Sequence, residues 1–314
     1  MELVDFFMVA TSSLGFILVC KNVLNFVKWV WGMFLRPPKN LKDYGSWAIV
    51  TGSTDGIGKA MALELASKGL NLLLIGRNPL KLEATSKDIK GNCNNNVQVK
   101  FLVIDFEKDK GEEIKERVEE AIEGLGLDVG VLVNCAGLAY PYARFFHEVD
   151  SELMNAVIKV NAEGPTWITK AVIQRMIKKR KGAIVNIGSG SSVVLPSYPL
   201  VALYSATKAY LAMFSRCTNL EYKHQGIDIQ CQAPLFVSTK MTRMTSSMFV
   251  PTAEMYSKKC TRWIGYESVV EPYFLHSLQG FLIRLIPEPL FDYFILCYHL
   301  YIRKRGRTLE GLQD

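Results

Sequence analysis

Between Trp47 and Gly69 the chain passes from a short apolar run, Trp47–Val50, through Thr51-Gly52-Ser53-Thr54-Asp55-Gly56-Ile57-Gly58 into a segment with helical apolar spacing at Ala62, Leu65 and Ala66. A strand that turns on glycines into a helix is the opening of a parallel crossover unit. The alternation then continues. Apolar runs at Leu72–Ile75, Val97–Ile104, Val129–Val133, Ala183–Ile187 and Ile227–Gln232 predict further strands. Between them, Lys81–Lys90, Glu112–Ile122, Leu153–Met176 and Ser205–Tyr222 predict helices, with a loop over Gly91–Asn96 and a bend where Pro165 interrupts the third of these. The strands are apolar at nearly every position rather than at alternate ones, as in a parallel sheet covered on both faces. The expected fold class is therefore α/β, a doubly wound parallel sheet. The 314 residues suit one large domain of this kind. We expect a membrane anchor over 1–35, a linker over 36–44 that includes Arg36-Pro37-Pro38-Lys39, the main domain over 45–273, and a C-terminal apolar segment with a basic tail over 274–314.

The hydrophobic extensions set this chain apart from a plain soluble domain. Phe6 to Cys20 carries no charge, and a second apolar stretch, Val23–Leu35, is broken only by Lys28. Acidic Glu2 and Asp5 precede the first run, where a cleaved signal peptide would carry basic residues. A spanning helix needs about 20 apolar residues, so this segment is either a true span or a monotopic amphipathic anchor. A buried core helix ranks below both. Lys21, Lys28, Arg36, Lys39 and Lys42 follow the first run, which by the positive-inside rule turns the main domain to the cytosol. Phe281–Ile302 is again apolar but interrupted by Arg284, Glu288 and Asp292. It reads as a membrane-surface element followed by the basic Arg303-Lys304-Arg305-Gly306-Arg307.

The formal net charge is +7, but the basic residues are spread along the chain and no nucleic-acid-binding signature is present. Nucleic acid is not an expected partner. The seven cysteines are scattered without CxxC spacing, which argues for reduced thiols and against disulfides or structural zinc. No metal site is expected.

Glycines that let the backbone approach a pyrophosphate, followed by a helix amino terminus, are the physical recipe for a dinucleotide site of Rossmann type. Here the spacing is Gly52-x-x-x-Gly56-x-Gly58. An acid after the second strand would hold the ribose 2′-hydroxyl of NAD. Gly76-Arg77-Asn78 stands there instead, and Arg77 can pair with a 2′-phosphate, which favours NADPH over the alternative of a solvated loop arginine. Asp105, after the third strand, is placed for the adenine or for capping its own loop.

Tyr204 and Lys208 lie four residues apart at a helix start, on one face. An ammonium beside a phenol is expected to lower the phenol's pKa, so that Tyr204 can give a proton to a carbonyl oxygen as hydride reaches the carbon. Lys208 can also hold the nicotinamide ribose. Ser189 follows the strand Ala183–Ile187 directly and can hold the substrate oxygen.

The order of these parts is similar to that of the short-chain dehydrogenase/reductases over about Gly45–Thr239. Glycine turn, Asn134-Cys135-Ala136-Gly137, Ser189, and then Tyr204 with Lys208 carry the likeness. Asn186-Ile187-Gly188-Ser189-Gly190 and Cys231-Gln232-Ala233-Pro234-Leu235 resemble the membrane-bound branch of very-long-chain 3-oxoacyl-CoA reductases and 17β-hydroxysteroid dehydrogenases, its plant type above all. The resemblance implies that Asn161 completes a tetrad with Ser189, Tyr204 and Lys208 and anchors a proton-relay water. It also implies that Gly52, Ser53, Asp55 and Ile57 line the cofactor, that Asn134 sits beside it, and that Val237 and Thr239 close over its nicotinamide end. The interval from Ser189 to Tyr204 is two residues longer than usual in the family, which leaves Ser191 as a rival to Ser189.

The implied activity is NADPH-dependent reduction of long-chain 3-oxoacyl-CoA to 3-hydroxyacyl-CoA in fatty-acid elongation, at the endoplasmic reticulum membrane. The alternatives are a dehydrogenase of steroids or other lipid ketones, and an idle membrane scaffold. A long-chain acyl-CoA or lipid ketone is the expected substrate, with a homodimer or elongase-complex partners as further expectations. Phe236–Tyr273 should cover the substrate with Met241, Met244, Met248, Phe249 and Met255, which suit long apolar ligands or simple lid packing alike. Lys240, Arg243, Lys258, Lys259 and Arg262 offer cations for coenzyme A phosphates, or a solvated face.

Overall fold

The computed structural model describes residues 2–92 and 97–309. Cys93, most of the Gly91–Asn96 loop and the terminal Leu312-Gln313-Asp314 lie outside the described residues. The chain divides into two compact units, Met1–Pro38 and Lys39–Asp314.

In the first unit the two apolar runs are one helix, α1 (Glu2–Val30), extended by a π-helical turn over Trp31–Leu35. Phe6, Phe16, Ile17 and Phe26 all stand exposed on it. Helix Val4–Leu35 is long and apolar enough to cross a membrane. A helix that is apolar all round has no solvated face to offer water.

The second unit is built on seven strands: β1 (Trp47–Thr51), β2 (Asn71–Gly76), β3 (Val99–Val103), β4 (Val129–Asn134), β5 (Gly182–Ile187), β6 (Ile227–Gln232) and β7 (Val269–Val270). They form one sheet in the order β3-β2-β1-β4-β5-β6-β7, with every pairing parallel. The doubly wound parallel α/β fold expected from sequence is the observed one. The two faces explain the uniformly apolar strands. Ala48, Val50, Leu72 and Leu74 face a core with Met61 and Leu65 of α2 (Gly56–Ser67). Trp47, Ile49, Leu73 and Ile75 face a second core with Ile114 and Val118 of α4 (Gly111–Gly124) and Val172 of α6 (Gly164–Lys179). Neither face sees water, so alternation has no use here.

The remaining helices are α3 (Pro79–Asn92), α5 (Ser151–Ile158), α7 (Gly190–Val193), α8 (Ala202–Tyr222), α9 (Ala253–Trp263), α10 (Phe274–Ile283) and α11 (Glu288–Leu309). The structure revises several expected elements. The continuous helix expected over Leu153–Met176 is α5, a π-helical turn Lys159–Glu163, and then α6. Pro165 sits in the first turn of α6, where its missing N–H costs nothing, so the irregularity precedes it rather than bending at it. The third strand is shorter than Val97–Ile104, and the two-residue β7 carries too little periodicity to be read from sequence.

The compact unit begins at Lys39, whose ammonium lies 2.9 Å from Asp228 at the start of β6, and it includes the C-terminal segment. Helix α11 docks through polar side chains. Arg303 pairs with Glu148 and holds its carboxylate down at about 2, and Asp292 accepts a hydrogen bond from Ser197 at 2.6 Å. Its opposite face exposes Leu290, Tyr293, Phe294 and Tyr301, next to exposed Phe281, Leu282 and Leu285 of α10 and the segment after it.

Candidate active site

After β1 the chain crosses to β2 on one side, and after β3 it returns to β4 on the other. The strand ends of β1 and β4 therefore diverge, and a crevice opens at their carboxyl ends. Thr51 closes its floor, its Oγ1 accepting from the N–H groups of Cys135 at 3.0 Å and Ala136 at 3.1 Å. Gly52 turns the chain with φ +64°, and a Cβ there would lie 2.8 Å from Ala136. A Cβ on Gly58 would lie 2.2 Å from the carbonyl oxygen of Gly52. Strand end and helix start thus touch backbone to backbone, which only glycine allows.

Asp55 caps α2, accepting from the Gly56 N–H at 2.8 Å, and pairs with Lys240 at 2.7 Å. Partial burial opposes its ionisation, but the Lys240 and Gly56 hydrogen bonds outweigh it and keep the carboxyl below its usual range. Gly56 has φ +50° and packs against the Thr239 side chain. The segment after β6 thereby leans on the first turn of α2.

One cavity is lined by Gly52, Asp55, Gly56, Ile57, Gly58, Arg77, Asp105, Ser189, Tyr204, Lys208, Val237 and Thr239. The sequence-predicted dinucleotide and proton-transfer residues are therefore brought together. Three predicted residues do not line it. Ser53 is fully buried and donates to the Ile75 carbonyl at 3.3 Å, while its neighbour Thr54 takes the place on the wall. Asn134 is buried beneath the floor, its amide donating to Asn186 at 2.8 Å and to Thr169 at 3.2 Å. Asn161, in the π-helical turn, is fully buried. It accepts from the Leu138 N–H at 2.7 Å and donates to the Leu138 carbonyl at 2.9 Å and to Thr207 at 3.1 Å. Its amide thus links the β4 exit to the helix that carries Tyr204.

Lys208 is buried, and its ammonium donates to the Ile187 carbonyl at 2.8 Å. It stands 5.9 Å from the Tyr204 ring centroid. The expected lowering of the phenol's pKa is not what the surroundings produce. Desolvation pushes Tyr204 above its usual value, and the neighbouring Ser189 hydroxyl only partly offsets this. Desolvation also pushes Lys208 below the usual lysine range, so its charge is a weaker lever than sequence spacing suggests. The phenol keeps its proton at neutral pH.

Of the two rival serines, Ser189 lines the cavity together with Tyr204; Ser191 is buried behind it. Ser191 donates to Ser189 Oγ through both its hydroxyl, at 2.9 Å, and its N–H, at 3.2 Å. With those acceptor positions filled, Ser189 offers its own proton outward.

Arg77 is exposed on the wall and pairs with Glu107 at 3.3 Å. Asp105 lines the cavity and accepts from the Glu107 N–H at 3.1 Å, so it caps its own loop. Lys258 and Lys259 stand exposed on α9 and do not line the cavity. Sequence reasoning passed over Glu107, although an acid just after the third strand was visible. It also missed His276, a lone histidine in an apolar stretch. Fully buried, His276 accepts from the Leu235 N–H at 3.3 Å and reaches the Phe236 carbonyl at 3.1 Å, fixing the segment after β6. Burial holds its pKa down at about 4, so it stays neutral.

This arrangement has known counterparts. The pattern of the short chain dehydrogenase family matches residues 46–248. A very-long-chain 3-oxoacyl-CoA reductase-like protein of Arabidopsis thaliana is 45% identical over 95% of this chain and 94% of its own. A human protein named inactive hydroxysteroid dehydrogenase-like protein 1 is 38% identical over 79% of this chain and 74% of its own. Among solved structures, a short-chain dehydrogenase from Sphingobium yanoikuyae in complex with NADPH is 25% identical, with a TM-score of 0.63 over 77% of this chain and 96% of that one.

Proposed function

Since the chain belongs to the short-chain dehydrogenase family, in the branch of very-long-chain 3-oxoacyl-CoA reductases and hydroxysteroid dehydrogenase-like proteins, we propose that it reduces long-chain 3-oxoacyl-CoA to 3-hydroxyacyl-CoA with NADPH. The observation that carries this reading is the convergence of Ser189, Tyr204 and Lys208 on a cavity whose other end is the Gly52–Gly58 cradle. The acyl-CoA substrate rests on the likeness to the Arabidopsis relative across nearly the whole chain.

The cradle fits a nicotinamide dinucleotide, because Gly52 and Gly58 let the end of β1 and the start of α2 meet backbone to backbone, which leaves the first turn of α2 lining the cavity where a pyrophosphate would approach its N–H groups. When bound, the cofactor supplies a hydride to the substrate's carbonyl carbon. Asp55, Gly56, Ile57 and Gly58 hold its phosphates and ribose, Arg77 its 2′-phosphate, Asp105 its adenine, and Val237 and Thr239 close over the nicotinamide end. Ser189 donates to the ketone oxygen and Tyr204 gives that oxygen its proton. Lys208 holds the nicotinamide ribose and favours the phenolate left behind. Asn161 and Asn134 act from beneath, by fixing Leu138, Thr207 and the β4–β5 floor. The human relative is named inactive, but in this chain all three proton-handling side chains are in place. The Val4–Leu35 helix and the basic residues after it support a place in the endoplasmic reticulum membrane with the domain in the cytosol.

The test is NADPH oxidation by the purified full-length chain with 3-oxopalmitoyl-CoA beside a 17-ketosteroid. Turnover of the acyl-CoA alone is expected. Turnover of the steroid alone would replace this reading with the hydroxysteroid one, and turnover of neither would leave a scaffold. In the same assay, Arg77→Ala removes one charge-assisted contact. It is expected to cut the preference for NADPH over NADH in kcat/KM by about tenfold or more.

The serines make a second prediction. Ser189→Ala is expected to lower kcat by roughly a hundredfold or more, the effect of losing one preorganised donor. Ser191→Ala should cost less than about threefold, because Ser191 is one step removed from the substrate oxygen. Steady-state kinetics of the two variants checks this, and the reverse order of effects would make Ser191 the catalytic serine.

A further inference from the structure

Residues 194–201 join α7, which follows Ser189, to α8, which carries Tyr204. The geometry of this connection therefore sets how the two hydroxyls meet. It is not a relaxed loop. Leu200 is buried and sits at φ +61°, a conformation an L side chain other than glycine or asparagine rarely takes. Such a residue keeps its shape only where its surroundings over-determine it.

The surroundings come from two sides. The Leu200 carbonyl accepts from the Arg144 N–H at 2.8 Å. From the other side comes α11, near the end of the chain. Its His299 is buried, with Nδ1 2.6 Å from the Pro199 carbonyl oxygen. A carbonyl only accepts, so Nδ1 carries the proton and donates. The same ring stands edge-on to Tyr198, with centroids 4.5 Å apart at 86°. Two helical turns earlier, Asp292 accepts from Ser197. Three consecutive residues of the connection, Ser197, Tyr198 and Pro199, are thus each gripped by α11. Tyr198 in turn lies close to the site: burial first, and then the neighbouring Tyr204, push its phenol above the usual range.

We propose that His299 is a positioning residue of the active site, which through Pro199 and Tyr198 holds the connection in the one shape that brings Tyr204 to Ser189. The inference rests on the assignment of Ser189 and Tyr204 above. It gives α11 a role distinct from its exposed apolar face. His299 touches neither substrate nor cofactor; it acts by removing the alternatives open to residues 197–200.

The test uses the purified full-length chain in detergent micelles, with 3-oxopalmitoyl-CoA and NADPH, comparing wild type, Tyr204→Phe, His299→Leu and His299→Asn. Asparagine places an amide N–H close to where Nδ1–H stands; leucine has no donor. His299→Leu is expected to lower kcat by about tenfold, a displacement effect, while the NADPH Kd by fluorescence titration changes by less than about twofold. His299→Asn is expected to recover most of the lost kcat. If His299→Leu does not accumulate, Ser197→Ala removes the neighbouring anchor and should lower kcat by about threefold, again with NADPH binding kept. Equal kcat in wild type and both His299 variants, or a loss that falls equally on NADPH binding and is not recovered by asparagine, overturns the inference while leaving a dead Tyr204→Phe to uphold the reductase reading. An inactive wild type, or an undiminished Tyr204→Phe, overturns the reductase reading and this inference with it.

Discussion

Tyr204→Phe is expected to reduce kcat for ketone reduction by about a hundredfold to ten-thousandfold, the range for losing a positioned general acid, with NADPH affinity nearly unchanged. The reasons lie in what the hydroxyl does and does not touch. Phenylalanine keeps the ring that packs beneath Lys208, and the Lys208 bond to the Ile187 carbonyl does not involve the phenol. The cofactor cradle at Gly52 and Gly58 is likewise untouched. What is lost is the proton donor that shares the cavity with Ser189. A pH profile separates this role from a merely structural one. Desolvation raises the Tyr204 pKa, so its protonated form is full at neutral pH and is lost only as pH rises through that raised value. In the reductive direction kcat/KM should therefore stay level across neutral pH and fall on the alkaline side. The residual activity of Tyr204→Phe should lack that alkaline limb. Stopped-flow NADPH oxidation across pH, with fluorescence titration of NADPH, reads both quantities.

Gly58→Ala has the next largest expected effect, and here binding fails rather than chemistry. The new Cβ would meet the Gly52 carbonyl oxygen at 2.2 Å and its carbon at 2.8 Å, both backbone atoms with no rotamer to swing away. Gly52 cannot retreat, since its own Cα side is closed by Ala136. The first turn of α2 must move off the end of β1, and with it the N–H groups meant for the pyrophosphate. We expect NADPH affinity to fall by about a hundredfold, as for a misplacement near 1 Å, and stability to fall by about 1–3 kcal/mol from overpacking. Gly124→Ala is the control. It lies in a helix with nothing within 4 Å of its Cβ, so it should leave both quantities intact or add slightly to stability. Fluorescence titration and thermal unfolding check the pair. A Gly58→Ala variant with normal NADPH affinity would show that the cradle is not where the phosphates bind.

Much of this was open to inspection in the sequence, and for a definite reason. Gly52, Gly56, Gly58, Arg77, Ser189, Tyr204 and Lys208 each sit at or next to the end of a predicted element, and a parallel sheet sends all such ends to one side. Local signals therefore carried long-range information. Other features had no local signal. The π-helical turn at Asn161 is a difference of one residue in hydrogen-bond register, which no residue type within Lys159–Glu163 announces. The partners of Ser53 and Asn134 lie on neighbouring strands and on α6, so only the assembled fold shows that they support the site from below. The direction of the Tyr204 shift was misread because spacing reports the nearness of an ammonium but not the burial of both groups.

By itself, then, the sequence determined the sheet, the side of it that carries the site, and the residues that turn there, because glycine placement and apolar period are properties of consecutive residues. Tertiary structure alone decided which serine faces the cavity and that Glu107 meets Arg77. It also decided that His276 and His299, far along the chain, fix segments whose sequences show no need of them. Each of those depends on distance in space between residues unrelated in sequence, and on the solvent that packing has removed from around them.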